Sequence, residues 1–322
     1  MKKLFIAMFA VAAVTACAKD EAISLNQESI DFGAPFVENS TRATDPSYGG
    51  GINTFTKFQV WGTANGVAIY AGEDVEGTVG SNIVEGKETN VWTCTKKNYW
   101  VNGAKYKFAA VANGNVGTPL VNGLPATISY TANGTDLIYA ENFGTNNEGI
   151  VGQPAGSNVP VELTFNHLLS KVKFTVTTAM TAEDYRYEVT GINITSAPAS
   201  GVYTVADKKW TPADAAGQAF DSIIVDAENK VVECANEKLI IPTSTVTVAY
   251  KAALQIKNGE KWDTIWADDK TTNPVTLNNV TLAAGNAYNF TITLNIGEEI
   301  TFSVDENPNW TTTTTGNEVP IQ

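Results

Sequence analysis

The chain contains few of the residues that serve metal binding or acid–base chemistry, and it has little positive charge. Its 322 residues include one histidine, His167, and three cysteines. A multi-histidine zinc site is therefore excluded, and a Ser-His-Asp triad could form only at His167. There are 21 Lys and Arg residues against 34 Asp and Glu residues, a formal net charge of −13. An acidic surface repels phosphate backbones, which disfavours nucleic-acid binding. The composition therefore favours a binding or structural protein without a cofactor over an enzyme.

Long apolar runs are absent except near the start of the chain. Two lysines precede an apolar run over residues 4–16, which has the length of a secretory h-region and is too short to span a membrane. Residues 14–17 (Val-Thr-Ala-Cys) resemble a bacterial lipobox, and residues 19–21 (Lys-Asp-Glu) resemble an outer-leaflet sorting tag. The sequence therefore predicts a lipoprotein signal peptide over 1–16, a lipid on Cys17 and attachment to the outer membrane; the alternative is an ordinary signal peptide that contains a cysteine.

Two further cysteines, Cys94 and Cys234, lie 140 residues apart in the sequence. An exported protein is in an oxidising compartment, where a disulfide can form. The sequence favours two buried thiols, because the residues fall in different predicted domains, and keeps a disulfide as the alternative.

Period-two alternation of apolar and polar residues dominates the body of the chain, and it predicts half-buried antiparallel strands. Helical periodicity is scarce, and only 181–188 could form a short helical turn. Many short strands with Gly and Asn turn signals predict an all-β fold of the β-sandwich type. A Gly-, Asn- and Pro-rich stretch at 144–160 predicts a boundary between domains at 43–150 and 161–322. The predicted core alternations are Val172, Phe174, Val176; Val246, Val248, Tyr250, Ala252, Leu254, Ile256; and Tyr288, Phe290, Ile292, Leu294, Ile296.

Several blocks of sequence, in order and over nearly the whole exported chain, resemble the fimbrillins, the pilin precursors of type V pili. The blocks that carry the resemblance are Thr41-Arg42-Ala43, Trp92 through Ala110 with Tyr99-Trp100, Asp136 through Ala140, Val161 through Val176 with Phe165-Asn166-His167, Gly285 through Ile292, Ile300 through Val304, and Trp310.

The resemblance implies two transthyretin-like β-sandwich domains in tandem and assembly with other pilin subunits by donor-strand exchange, in a pilus used in adhesion. It implies that 17–42 is a lipidated propeptide with a leading strand, removed when an extracellular Arg-specific protease cuts between Arg42 and Ala43. It also implies a donor strand within 309–322. The expected localisation is the outer membrane for the precursor and then a cell-surface fimbrium.

Alternatives remain open from the sequence. Arg42 could be an exposed linker arginine that is never cut, and the protein could be a shaft subunit or a minor or tip subunit. A surface glycan-binding lipoprotein of two β-domains is the alternative function, and a carboxylate-pair glycoside hydrolase is a weaker third class.

Other candidate residues favour ordinary structural roles. His167 is expected to be a hydrogen-bonded structural histidine rather than a ligand or base. The acid pairs Asp268-Asp269 and Asp305-Glu306 lack an EF-hand pattern and are expected to be solvated rather than to bind calcium. Trp92, Trp100 and Trp310 are expected to be packed rather than to stack on sugars. The tripeptides Asp221-Ser222-Ile223 and Asp263-Thr264-Ile265 resemble a short bacterial O-glycosylation motif that also arises by chance.

Overall fold

The computed structural model describes residues 28–33, 57–77, 92–118, 120–154, 157 and 159–308, and the backbone of 36–37, 83–84, 87–88 and 317–319. Within these residues the only helix is a single 3-10 turn at Thr145–Asn147, and all other regular structure is β. The predicted all-β fold is therefore confirmed.

The strands are numbered in chain order. They are β1 Phe36–Val37, β2 Lys57–Ala64, β3 Val67–Glu76, β4 Ile83–Val84, β5 Lys87–Glu88, β6 Thr93–Cys94, β7 Lys105–Ala112, β8 Asn115–Val116, β9 Thr127–Thr131, β10 Ile138–Asn142, β11 Ile150–Val151, β12 Thr164–His167, β13 Ser170–Thr177, β14 Tyr185–Ile194, β15 Ser200–Thr204, β16 Lys209–Pro212, β17 Gln218–Ala219, β18 Ile223–Asp226, β19 Val231–Glu233, β20 Lys238–Ile240, β21 Val246–Asn258, β22 Lys261–Asp269, β23 Val275–Leu277, β24 Asn286–Thr293, β25 Thr301–Pro308 and β26 Asn317–Val319.

The first sheet has eight strands in the order β1-β12-β10-β7-β2-β3-β6, with β11 also paired to β7. Its strands alternate as the period-two pattern requires, so every second side chain points to one face. On β7, Tyr106 and Phe108 are buried in an aromatic cluster together with Phe58 of β2 and Tyr70 of β3. We call this aromatic cluster the first core.

The second half of the chain forms two six-stranded sheets that enclose a second core. One sheet has the order β19-β13-β24-β25-β26 with β20 also on β13, and the other has the order β17-β14-β21-β22 with β18 on β14 and β23 on β21. This is a β-sandwich, and the predicted alternations supply its interior. The predicted core residues found there are Val172, Phe174, Val176, Val246, Val248, Tyr250, Ala252, Leu254, Tyr288, Phe290, Ile292 and Leu294.

Some local expectations were wrong. Ile256, predicted to be a core residue, is only half-buried, because it lies close to the turn between β21 and β22. β13 pairs with β24 in parallel register, Val172 opposite Tyr288, because a period of two fixes which face of a strand is buried but not the direction of its neighbour. Ile296 is 55% exposed, since β24 has ended at Thr293 and a turn with Gly297 at φ +81° follows. Residues 182–185 form a hydrogen-bonded turn, in which Tyr185 N donates to Ala182 O at 3.3 Å. The turn does not extend into a helix, because β14 begins at Tyr185 and pairs along β21.

A third core joins the two halves. Trp61, Val111 and Tyr139 from the first sheet pack with Leu169, which directly precedes β13, and with Ile241 from the second half. The halves also share a four-stranded sheet, β16-β15-β9-β8, in which β15 pairs antiparallel with β9.

The division into two domains remains a prediction, and the structure shows what lies at the proposed boundary. Within 144–160, β11 pairs with β7, so part of the predicted linker belongs to the first sheet. β12 lies in that sheet as well, and Val161 and Phe165 are buried in the first core. The chain enters the second half at β13, directly after Leu168 and Leu169 of the third core.

The alternation in β24 predicts a matched pair of stability effects. Phe290 is fully buried and stacks on Phe174 with ring centroids 5.3 Å apart, whereas the neighbouring Thr291 is only half-buried. Phe290→Ala is expected to lower the free energy of unfolding by about 3–5 kcal/mol, and Thr291→Ala by well under that. Urea denaturation of both variants measures the difference; equal shifts of the midpoint would contradict the assignment of faces.

Candidate functional site

Residues 28–33 lie between the two ends of the first sheet, and we call them the closing segment. Phe32 bridges Trp92, which directly precedes β6, and Val161, which precedes β12. β6 and β12 lie at opposite ends of the strand order, apart from the short β1. The closing segment therefore completes a sheet that would otherwise have two open edges.

Main-chain hydrogen bonds hold the closing segment on both sides. On one side Ile30 N donates to Asn98 O at 2.8 Å and Trp100 N donates to Glu28 O at 2.9 Å. On the other side Gly33 N donates to Val161 O at 2.9 Å and Val161 N donates to Asp31 O at 2.7 Å. β1 continues along the same edge, in parallel register with β12.

Two side chains of the closing segment point into the first core. Ile30 is 3% exposed and Phe32 is 1% exposed. The ring of Phe32 makes edge contacts with Phe58, Tyr70 and Phe108, with centroids 6.1, 5.8 and 5.8 Å apart. Aromatic edge contacts of this kind add stabilisation beyond that from the apolar area that each ring buries.

Loss of the closing segment would leave a slot for another strand. The amide of Trp100, the carbonyl of Asn98 and both polar groups of Val161 would lose their partners, and the Phe32 site would become an apolar pocket. Unpaired strand edges beside an apolar row are a template for an incoming strand, with main-chain bonds giving affinity and alternate side chains giving register.

The residues that the sequence assigns to processing lie outside the described residues. These are Cys17, Arg42 and Ala43, and nothing in the structure places them. Of the predicted propeptide over 17–42, the structure describes 28–33 and the backbone of β1. Lipidation and cleavage therefore stay predictions, and the described part of the propeptide is the part that closes the first sheet.

The predicted donor strand over 309–322 is described at three residues. β26 pairs antiparallel with β25 at the edge of the second half's sheet, with Val319 opposite Phe302 and Asn317 opposite Val304. Residues 309–316 and 320–322 are outside the described part. A role of this segment as a donor stays a prediction.

The histidine has a structural partner that the sequence reasoning missed. His167 Nδ1 lies 2.5 Å from Asp136 Oδ2, and both side chains are buried. Burial raises the pKa of the Asp136 carboxyl, and its hydrogen bond to His167 opposes that rise. The expectation of a hydrogen-bonded structural histidine is confirmed. In the sequence, Asp136 stands out only as the first residue of a block that resembles the fimbrillins. No local pattern predicts its contact with a histidine 31 positions away.

The remaining candidate residues make ordinary contacts. Cys94 and Cys234 are free, buried thiols in different cores. Asp268 accepts a hydrogen bond from the Tyr250 hydroxyl at 3.0 Å. In the described part of the chain, no three His, Cys, Asp or Glu side chains come together as metal ligands would.

Two of the tryptophans that the sequence singles out are packed in the first core. Trp92 is 1% exposed and Trp100 is 3% exposed, as expected, whereas Trp266 is 44% exposed. Trp310 lies outside the described residues. The motif residues Ser222 and Thr264 are exposed, and their glycosylation stays a prediction.

Among the described residues, no helix has the length and hydrophobicity that crossing a membrane requires.

The fold and site define an all-β protein whose first sheet is completed by a segment near the N-terminus. The fimbrillin-like family profile matches residues 41–308, so the chain belongs to the fimbrillin-like family. Membership of this structural family supports a pilin-like role in a cell-surface fimbrium and suggests a non-enzymatic protein.

Solved structures with the same fold are known. A fimbrial protein from Bacteroides vulgatus superposes with a TM-score of 0.57 at 16% identity, covering 87% of this chain and 99% of that one. A protein assigned to cell adhesion from Bacteroides ovatus superposes with a TM-score of 0.52 at 14% identity, covering 89% of this chain and 99% of that one. No curated protein matches the sequence. At these identities the likeness concerns the fold alone.

Proposed function

We propose that this chain is the lipidated precursor of a pilus subunit and that it polymerises by exchanging the closing segment for a strand of another subunit. In this proposal Cys17 holds the precursor at the outer membrane, and a protease cuts after Arg42. The released piece then includes the closing segment and β1. The single observation that supports the exchange is the position of Phe32, which bridges Trp92 and Val161 and fills the first core.

In this proposal the precursor remains monomeric before cleavage. While the closing segment is in place, the polar groups of Asn98, Trp100 and Val161 are paired, so these groups are not available to another strand. After cleavage the same groups and the pocket of Phe32 become available together. An inserted strand makes many hydrogen bonds and apolar contacts at once, so the joint between subunits should resist mild detergent.

The test compares three versions of the chain in cells that process it. The wild-type chain should yield protein that begins at Ala43 and detergent-resistant ladders. Arg42→Ala should accumulate full-length, lipid-bound monomer. Arg42→Lys is the matched control that keeps the charge: an Arg-specific protease should leave it uncut as well, whereas a protease of broader basic specificity should cut it. Mass spectrometry and N-terminal sequencing of sheared surface material measure the outcome.

Two results would contradict the proposal. Ladders of unchanged length from Arg42→Ala cells would exclude strand removal as the assembly step. Fatty-acid labelling that persists after Cys17→Ser would exclude Cys17 as the anchor.

Deleting 309–322 separates the positions that this subunit could occupy. A shaft subunit without its donor should still be cut and should fail to extend the polymer. A tip subunit should be cut and incorporated almost normally. β26 lies at a sheet edge, so the deletion removes an outer strand rather than an interior one.

A further inference from the structure

Along β7, the face of the first sheet that points away from the first core changes from buried apolar residues to lysines. Residues Tyr106 and Phe108 point into the first core, and the alternate residues point to the opposite face. On that opposite face Ala109 and Val111 are covered by the second half as part of the third core. Towards the start of β7 the same face continues with Lys107 and Lys105, the first half-buried and the second exposed.

Two adjoining cavities open where the second half stops covering this face. Their volumes are about 720 and 900 Å³, which is the size of small-molecule sites in proteins. They share Tyr139, Glu141, Val205 and Lys208, and we call the two together the seam groove.

The larger cavity has mainly apolar walls. Leu124, Phe143 and Val205 are half-buried against the third core and leave part of their surface to the groove. Val121, which also lines the cavity, is 58% exposed. Water in contact with such a strip is readily displaced by an apolar chain.

Positive charge surrounds this apolar strip in a protein that is acidic overall. Lys105, Lys107 and Lys208 line the larger cavity and Lys209 lines the smaller one. None of the four forms an ion pair with another described residue, and Lys107 instead lies over the ring of Phe143, 5.6 Å from its centroid. Lysines elsewhere that do pair with acids are Lys57, Lys96, Lys171, Lys173, Lys251 and Lys270.

The acids of the seam groove offset only part of this charge. Glu141 and Glu148 line the larger cavity, and Glu141 accepts a hydrogen bond from the Tyr139 hydroxyl at 3.1 Å. Burial, together with the nearby Glu141 charge, raises the pKa of Tyr139, so this hydroxyl remains a neutral donor to the carboxylate. Three lysines against two carboxylates leave the larger cavity net positive.

We propose that the seam groove binds a linear anionic amphiphile, a long unbranched apolar chain with one carboxylate or phosphate at its end. The apolar strip disfavours a polyhydroxylated sugar, because the hydroxyls would lose water without gaining enough partners. The lysines select an anionic head over a neutral or cationic one. The proposal does not depend on strand exchange, since no residue of the closing segment lines the groove.

Binding of four probes to the chain from Ala18 to Gln322 tests the proposal. The probes are dodecanoate, dodecyl phosphate, dodecanol and dodecyltrimethylammonium. The three ionic probes are titrated calorimetrically below their micelle concentrations, and dodecanol below its solubility limit. One or both anions should bind saturably, and the cation should bind at least roughly tenfold more weakly. Tighter binding of dodecanoate points to a fatty acid as the natural ligand, and tighter binding of dodecyl phosphate points to a phospholipid-type head.

Charge reversal at the groove sharpens the test. Lys105 and Lys208 are exposed, so the variant with Lys105→Glu and Lys208→Glu should fold normally. It should bind the anionic probes roughly tenfold more weakly and the cationic probe more tightly. Lys257→Glu with Lys261→Glu is the matched control: it makes the same change in net charge at two exposed lysines of the β21–β22 hairpin and should leave both affinities within about twofold. Val121→Asn, which changes no charge, should weaken the binding of dodecanoate and of dodecanol to the same extent.

Three outcomes would overturn the proposal. They are equal affinity for anionic and cationic probes, equal effects of the groove and control reversals, and no saturable binding of either anion below its micelle concentration.

Discussion

Phe32→Ala should lower the free energy of unfolding of the uncleaved chain by about 3–5 kcal/mol. Phe32 is 1% exposed, and its ring contacts Phe58, Tyr70 and Phe108. Its truncation leaves a cavity among rings that the surrounding strands hold apart, so little of the loss can be recovered by relaxation. Urea denaturation of chains that retain residues 18–42 measures the effect.

The same substitution also tests whether the closing segment is separable from the rest of the fold. If residues 18–42 leave after cleavage, Phe32→Ala should have no effect on the stability of the cleaved chain. Phe302→Ala is the matched control, because Phe302 is equally buried in the second core and should destabilise both forms alike. A cleaved chain that keeps its sensitivity to Phe32→Ala would show that the segment stays bound after the cut.

A peptide of residues 18–42 extends this experiment. Added to the chain that begins at Ala43, the peptide should restore stability by mass action, and a Phe32→Asp peptide should restore far less, because it would bury an unpaired carboxylate in the first core. Equal rescue by both peptides would contradict the assignment of Phe32 as the anchoring side chain.

His167→Ala is expected to be the second large effect, with a loss of about 3–5 kcal/mol of unfolding free energy, because it removes a buried side chain and a buried hydrogen-bond partner together. His167 and Asp136 are buried side chains 2.5 Å apart. Removing the histidine leaves the Asp136 carboxyl group buried without that partner. Removing both partners should cost less than the sum of the single changes, because neither residue is then left uncompensated.

A double-mutant cycle with Asp136→Ala measures this coupling by denaturation. The control is Lys173→Ala, which breaks an exposed ion pair with Glu233 at 2.8 Å and should cost about 0–1 kcal/mol. Additive single effects in the cycle would show that His167 and Asp136 contribute independently.

Local pattern predicted much of the second half of the fold. Alternation fixed Phe174, Tyr250 and Phe290 as interior residues, and all three are in the second core. It failed at Ile296, where the alternation continues in the sequence although the strand has ended. Periodicity reports a backbone tendency, whereas the end of a strand depends on where its partners stop.

The candidate site was predictable only in part. The resemblance to fimbrillins implied that 17–42 contains a leading strand, and Phe32 lies within that segment. The two strand edges that pair with the closing segment, at Asn98 and Val161, could not be predicted from local pattern. These residues are 63 positions apart in the sequence and are linked only through the closing segment.

The sequence by itself determined the all-β class, the faces of the main strands and the poverty of residues for metal chemistry, because each of these depends on residue type and short-range spacing. Only the tertiary structure decided the parallel pairing of β13 with β24, the His167–Asp136 contact and the closure of the first sheet by Phe32. Each of these joins segments that are distant in the chain. The free energy that selects them comes from burial and main-chain hydrogen bonding between whole strands, which no short stretch of sequence contains.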